Sequence, residues 1–331
     1  MHDPAFPSPR PWSETAASEA RAAFDGTTVA GGSLGKLRDL ACWWAGCTGG
    51  VSARRPARAR ICLFAADHGV VARGVSRDGA SSARRMRQVL AGEAAVARLA
   101  REVGVELLAI DVGLSEPVPD AMDRRVRAGT ADFTVEPAMT VEQARAAIGV
   151  GVQCAADAAR EGVDVLAVGE IGVGASTAAA AVLSAVAAVP GKLAAGRGSG
   201  LDDAGLARKV RVIDDGILLH HPGRADGLGV LAAVGGLEIA AVAGMCIGGA
   251  AFGVPVVLDG FVSTAGALIA SVIEPGCVAH LLVGHRSTEN GHWAMARYLR
   301  REPVLDLDMS VTEGVGALLA LQTLRMAVAM A

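Results

Sequence analysis

Apolar positions along this chain fall into two patterns. Short unbroken runs, ICLFAAD at 61–67, ELLAID at 106–111, VDVLAVG at 163–169, VPVVLDG at 254–260 and CVAHLLVG at 277–284, each end at Gly or Asp. Runs of this kind predict strands covered on both faces, as in a parallel sheet. Between them, 81–104 and 140–162 carry apolar residues at helical spacing and close on Gly, which predicts helices. Strand followed by helix, repeated, predicts an α/β fold: a Rossmann-like parallel sheet with helices on both faces. In such a sheet ligands bind beyond the carboxyl ends of the strands, so the polar residues after each run are the first candidates for chemistry. They are Asp67-His68-Gly69, Asp111-Val112-Gly113, Glu170, Asp259-Gly260 and His285.

Two stretches, 171–191 and 239–258, are each about as long as a bilayer span and carry no charge. Both are built largely of Ala and Gly, Pro255 interrupts the second, and Glu170, Glu238 and Asp259 stand at their edges. Closely packed interior helices are therefore expected, and no membrane partner. The Pro-rich N-terminus lacks a basic stretch leading into an apolar core, so it does not read as a secretory signal. The six cysteines form no C-x-x-C pair, which points to buried thiols in a reducing cytoplasm. With 331 residues, 52% hydrophobic and 20% charged, the chain can bury a sizeable core, and disorder is excluded. A net charge of −3 and an aromatic content of 3% offer neither the basic field nor the stacking rings that nucleic acid requires.

Gly-rich loops supply the strongest local signals. In Gly169-Glu170-Ile171-Gly172-Val173-Gly174-Ala175-Ser176-Thr177 a strand gives way to an Ala-rich helix. Such a helix start suits a phosphate, with Ser176 and Thr177 adding hydroxyls; a tight strand-to-helix turn is the plainer alternative. No Lys precedes the Ser and Thr, so it is not a P-loop. A second loop, Gly196-Arg197-Gly198-Ser199-Gly200, followed by Lys209, adds backbone donors and cations. Val210–Asp215 superficially resembles the paired-Asp ribose grip of many phosphoribosyltransferases, but its continuation predicts a helix with an acidic face, and His220-His221 alone is a weak metal signal. Near the C-terminus, Glu313 stands before Gly314-Val315-Gly316-Ala317 and an apolar helix. A carboxylate in a Gly-lined, partly apolar pocket can accept a proton near neutrality; one at a helix start can equally interact with that helix, and spacing leaves both open.

Taken together, GGSLGKLRDLA (31–41), FAADHGVVARGVS (64–76), PAMT (137–140), GEIGVGAST (169–177), GRGSGLDD (196–203), RKVRVI (208–213), VGGLEIAAVAG (234–244), PVVLDGFVSTAGALI (255–269), HRSTENGH (285–292), PVLDL (303–307) and TEGVGALLAL (312–321) resemble the nicotinate-nucleotide:dimethylbenzimidazole phosphoribosyltransferase family. The resemblance implies a large α/β nucleotide-binding domain over 31–290, a smaller helical part from 1–30 with 291–331, and a homodimer. It implies transfer of 5-phosphoribosyl from nicotinate mononucleotide to a benzimidazole nitrogen, with inversion at the anomeric carbon, release of nicotinate, and no cofactor or metal. By resemblance Glu313 is the base, Glu170 a second catalytic acid beside the ribose, and Gly172, Gly174, Ser176, Thr177, Gly200 and Lys209 hold the nucleotide and its phosphate. Ser76, Arg85 and Met86 fall in the acceptor stretch. There the family's Ser-x-Tyr-Pro and Val-Thr-x-Gln-Met are replaced by SRDGASSARRM, with Asp78, Gly79, Ser82, Ala83 and Arg85 at changed positions. These changes leave a second expectation open, a paralogue with a more polar acceptor or a non-catalytic nucleotide- or base-binding protein. Asp67, His68, Asp259, His285 and Glu289 are expected to fix loops by hydrogen bonds, though at strand ends they could touch ligand.

Overall fold

The computed structural model describes residues 6–27, 34–50, 55–77 and 81–330. Six strands, β1 (Ala59–Ala66), β2 (Glu106–Gly113), β3 (Met122–Asp123), β4 (Val165–Ile171), β5 (Val256–Leu258) and β6 (Leu281–Val283), form one sheet in the order β3-β2-β1-β4-β5-β6. Every pairing is parallel. β7 (His285–Ser287) and β8 (Leu305–Met309) make a separate parallel pair. Every residue of β1 and of β4 is buried, as their unbroken apolar sequence requires of strands roofed by helices on both faces. The strand order reverses direction between β1 and β4, and a crevice opens there beyond their carboxyl ends.

One face carries the Val141–Arg160, Ala175–Ala187, Leu237–Phe252 and Phe261–Ile273 helices, the other the Ser82–Leu90, Ala95–Glu102 and Val315–Ala329 helices. The uncharged Ala/Gly stretches are interior helices, because they pack too closely for larger side chains. A Cβ on Gly151 would collide with the Ala241 carbonyl, and one on Gly244 with that of Ile148. Among the described residues no helix is long and apolar enough to cross a membrane. The Glu14–Thr27 helix packs on Lys36–Thr48, which packs in turn on Val315–Ala329.

Three expected elements differ. The helix expected over 81–104 is two, Ser82–Leu90 and Ala95–Glu102, because Gly92 turns into the left-handed region at φ 75° and interrupts the first. The run 277–284 begins as a 3₁₀ turn, Pro275–His280, and only Leu281–Val283 pairs with β5. The strand within 254–260 shortens to Val256–Leu258, and its last polar residue, Asp259, points its carboxylate at the backbone of the C-terminal helix. Val210–Asp215 lies within a helix, Asp203–His220, as its pattern predicts.

Candidate active site

A cavity of about 380 Å³ occupies the crevice, within the range of small-molecule sites. Gly172–Gly174 and Ser176, Ser76, Arg85, Gly198-Ser199, Phe261-Val262, Glu289 and Ser310–Glu313 line it, and Glu170 stands in the same lining as Glu313.

Glu170 is placed by the sheet. It stands opposite Phe64 of β1 near the end of β4, and its N–H donates to the Thr312 carbonyl at 3.0 Å, drawing the segment before Glu313 against the strand. Its residue exposure is 1%. Burial, and then the negative charge of Glu238, push its pKa well above the ordinary carboxylate value; Thr312 and Arg85 oppose this and Glu313 adds to it. The Glu313 side chain is 17% exposed, and Arg85 Nη1 lies 3.8 Å from its Oε1. Burial raises the Glu313 pKa and the Arg85 guanidinium pulls it back. Glu313 is therefore a carboxylate with enhanced basicity that stays within reach of a ligand.

Asp259 holds the turn that carries Glu313. Its Oδ2 accepts from the Gly314 N–H and its Oδ1 from the Ala317 N–H, both at 3.0 Å. Gly314 is at φ 93°, where a side chain would be strained, and a Cβ there would press on Ile61 of β1. His285 Nε2 lies 3.7 Å from Asp259 Oδ1, both side chains buried. Burial raises the Asp259 pKa, opposed by His285 and the backbone N–H donors.

The phosphate candidates divide into lining residues and supports. Gly172, Gly174 and Ser176 line the cavity, and Gly174, at φ 93°, opens the Ala175–Ala187 helix. Lys209 is wholly buried behind Ser176, donating from Nζ to Ser176 Oγ at 2.9 Å and to the Gly196 carbonyl at 3.1 Å. Burial lowers its pKa, and Glu289 works against that shift. Thr177 is buried on the first turn of the helix, away from the cavity lining, and Gly200 sits at φ 94° at the far end of its loop.

Of the acceptor candidates, Ser76 and Arg85 line the cavity, whereas Met86 is fully buried in the apolar cluster on the other side of its helix, with Ile61 and Leu63. Asp78 and Gly79 lie outside the described residues. Ser82 does not line the cavity; its Oγ accepts from the Val173 N–H at 3.0 Å and ties the acceptor stretch to the Gly-rich loop. Ser199 Oγ lies 3.3 Å from Ser76 Oγ and accepts from the Arg77 N–H at 3.1 Å, so the two loops meet at the mouth. Glu289 does fix a loop, accepting from the Gly198 N–H at 2.8 Å, but it also lines the cavity. Asp67 accepts from the Ser115 N–H at 2.8 Å, a loop contact. Sequence reasoning missed Glu238, whose only signal was a lone acid in an otherwise uncharged helix.

Comparison with known proteins accounts for this architecture. A family model described as "Phosphoribosyltransferase" matches residues 10–331. The chain belongs to this phosphoribosyltransferase family. A relative from Chloroflexus aurantiacus named nicotinate-nucleotide–dimethylbenzimidazole phosphoribosyltransferase is 46% identical over 315 residues, covering 94% of this chain and 90% of its own length. A relative of the same name from Geotalea uraniireducens is 42% identical, covering 92% and 87%. The crystal structure of CobT from Thermus thermophilus superposes with a TM-score of 0.91 at 39% identity, covering 95% of each chain. The phosphoribosyltransferase thus has the α/β fold its strand-helix pattern predicted, and the two glutamates and the Gly-rich loop meet at the crevice where that fold binds ligands, with the buried lysine behind Ser176.

Proposed function

We propose that the enzyme transfers 5-phosphoribosyl from nicotinate mononucleotide to a nitrogen of 5,6-dimethylbenzimidazole, giving an α-ribazole-type 5′-phosphate and nicotinate. The observation that carries this reading is the meeting of two carboxylates of raised pKa, Glu170 and Glu313, in one cavity with a helix start behind the Gly-rich loop. The loop N–H groups and the positive end of the Ala175–Ala187 helix hold the phosphate, with Ser176 and the Lys209 behind it supplying a hydroxyl and a cation.

On the donor the pyridine ring is a cationic pyridinium. As the C1′–N bond breaks, its electron pair returns to the ring nitrogen and nicotinate leaves with a neutral ring, so the leaving group needs no acid or metal assistance. The lone pair of one azole nitrogen forms the new bond on the opposite face of C1′, which inverts the anomeric carbon. The N–H proton of the other nitrogen passes to Glu313, whose enhanced basicity suits it to receive it. Glu170 in its charged form stabilises the positive charge that builds on the ribose while both bonds are long. Holding donor and acceptor in line supplies much of the remaining acceleration. The reading extends to a homodimer working in the cytoplasm, as the family resemblance implies.

The test is nicotinate release from nicotinate mononucleotide with and without 5,6-dimethylbenzimidazole, with mass analysis of the product. Acceptor-dependent release with a ribazole phosphate is expected. Release that is faster with a polar azole, purine or phenol than with any benzimidazole would overturn the acceptor assignment, and release independent of any acceptor would make the enzyme a hydrolase.

A further inference from the structure

One buried acid beside the cavity has no part in the transfer as just described. Glu238 is the sole charged residue of the Leu237–Phe252 helix, its side chain is fully enclosed, and its Oε1 lies 2.9 Å from Nε2 of His68, whose side chain is 1% exposed. His68 follows β1 at the same crevice, so the contact joins residues 170 positions apart. The fit leaves no slack. A Cβ on Gly236 would stand 2.6 Å from both Glu238 Oε1 and His68 Cε1, and one on Gly174 would stand 3.2 Å from His68 Cβ. The imidazole is thus wedged between the helix bearing Glu238 and the Gly-rich loop, while Glu170 Oε2 lies under Gly172 of that same loop.

The polar atoms of this cluster are incompletely satisfied. Oε2 of Glu238, Oε2 of Glu170 and Nδ1 of His68 are buried and have no hydrogen-bond partner among the described residues. Two carboxylates and an imidazole in a space closed to water cannot all be charged at will, since a bare charge there is strongly disfavoured unless paired. His68 favours its imidazolium, burial opposing but Glu238 and then Asp67 prevailing. Around Glu170 the charged groups are Glu238 from the helix above, Arg85 from the Ser82–Leu90 helix and Glu313 from the turn before the last helix; of these Glu238 acts most strongly.

We propose that the His68–Glu238 pair is a positioning unit that keeps Glu170 a neutral acid in the empty site, so that its carboxylate is formed only when a cationic pyridinium nucleotide fills the cavity. The donor's positive ring replaces the proton: Glu170 passes from carboxylic acid to carboxylate and one proton leaves to solvent as the donor binds. The enzyme avoids an unpaired buried anion when empty, yet presents one to the ribosyl cation at the moment of transfer. This inference rests on the donor reading above.

The test is calorimetric titration of the full chain with nicotinate mononucleotide, without acceptor, in two buffers of different ionisation enthalpy at neutral pH. Wild type is expected to release a proton on binding, and E170Q to release less by most of one proton; any proton shed by the nucleotide phosphate is common to both. In E238Q the neighbouring negative charge is gone, Glu170 ionises more readily although it stays buried, and the release falls below that of wild type. The acidic limb of kcat/KM, which reports the free enzyme, then moves to lower pH. E238D keeps the charge and restores the release, which a merely structural role for the pair would not produce. Donor binding with no difference between wild type and E170Q, or release unchanged in E238Q, overturns the inference and leaves the donor reading standing. Absence of donor binding overturns both.

Discussion

Glu170 and Glu313 face the same cavity but are held by opposite means. Glu170 belongs to a strand: its backbone is locked between neighbours of the sheet, its side chain is enclosed, and a second buried acid with its histidine stands behind it. Glu313 belongs to a turn between β8 and the last helix, keeps 17% of its side chain exposed, and is positioned at one remove by the two hydrogen bonds that Asp259 accepts from Gly314 and Ala317. Each acid is thus backed by a buried carboxylate with a histidine beside it, Glu238 with His68 and Asp259 with His285, at different contact distances of 2.9 and 3.7 Å. The Glu238 contact is a hydrogen bond that bears on charge, whereas Asp259 spends its oxygens on backbone donors and bears on position. A group that stabilises a developing cation benefits from a rigid, dry setting, and one that must collect a proton from an incoming ring benefits from access.

The comparison is sharpest at the acids themselves. Replacing Glu313 by Gln removes the proposed base without altering the shape of the turn, and kcat is expected to fall by about 10²–10⁴-fold while the KM for the donor is unchanged. A variant that kept its turnover would strip Glu313 of its role. Next in size is Asp259→Ala, which leaves two buried N–H groups without acceptors and lets the turn drift. A displacement of about 1 Å at the reacting group can cost about 10²-fold in kcat, and initial-rate kinetics are expected to show such a loss with donor binding retained; if donor affinity collapsed instead, Asp259 would be supporting the nucleotide site rather than the base.

The smallest effect is expected from Arg85→Gln, because this guanidinium lowers the pKa of both acids without being the strongest influence on either. Its removal raises both values, so the ionised forms appear only at higher pH and the acidic limb of the kcat/KM profile moves up by about 1 unit. The shift is opposite in sign to that expected of E238Q, and a pH profile that moved the same way in both variants would contradict the assignment of Glu170 as the common titrating group.

Much of this site could be read along the chain because its parts are local. Burial on both faces makes β1 and β4 unbroken apolar runs, so Glu170 could be placed at a strand end; a tight strand-to-helix turn needs closely spaced small residues, so Gly172, Gly174 and Ser176 could be placed at the helix start that lines the cavity; and an acid before Gly-x-Gly-Ala marked Glu313. Other features gave no local sign. The break at Gly92 depends on a backbone dihedral that periodicity does not register, and the burial of Met86 away from the cavity depends on which face of its helix meets β1. Lys209 looked like a cation free to meet phosphate, yet its ammonium is buried against Ser176 and Gly196.

What the sequence determined by itself was the repertoire: parallel strands, Gly-rich turns, Ala/Gly helices that pack closely, and the identity of the two acids. Only the tertiary structure decided how those acids are charged. Glu238 and His68 are separated by 170 positions, as are Asp259 and Gly314 by 55, and a pKa follows from burial and from the charges within a few ångströms, neither of which exists until the chain has closed on itself.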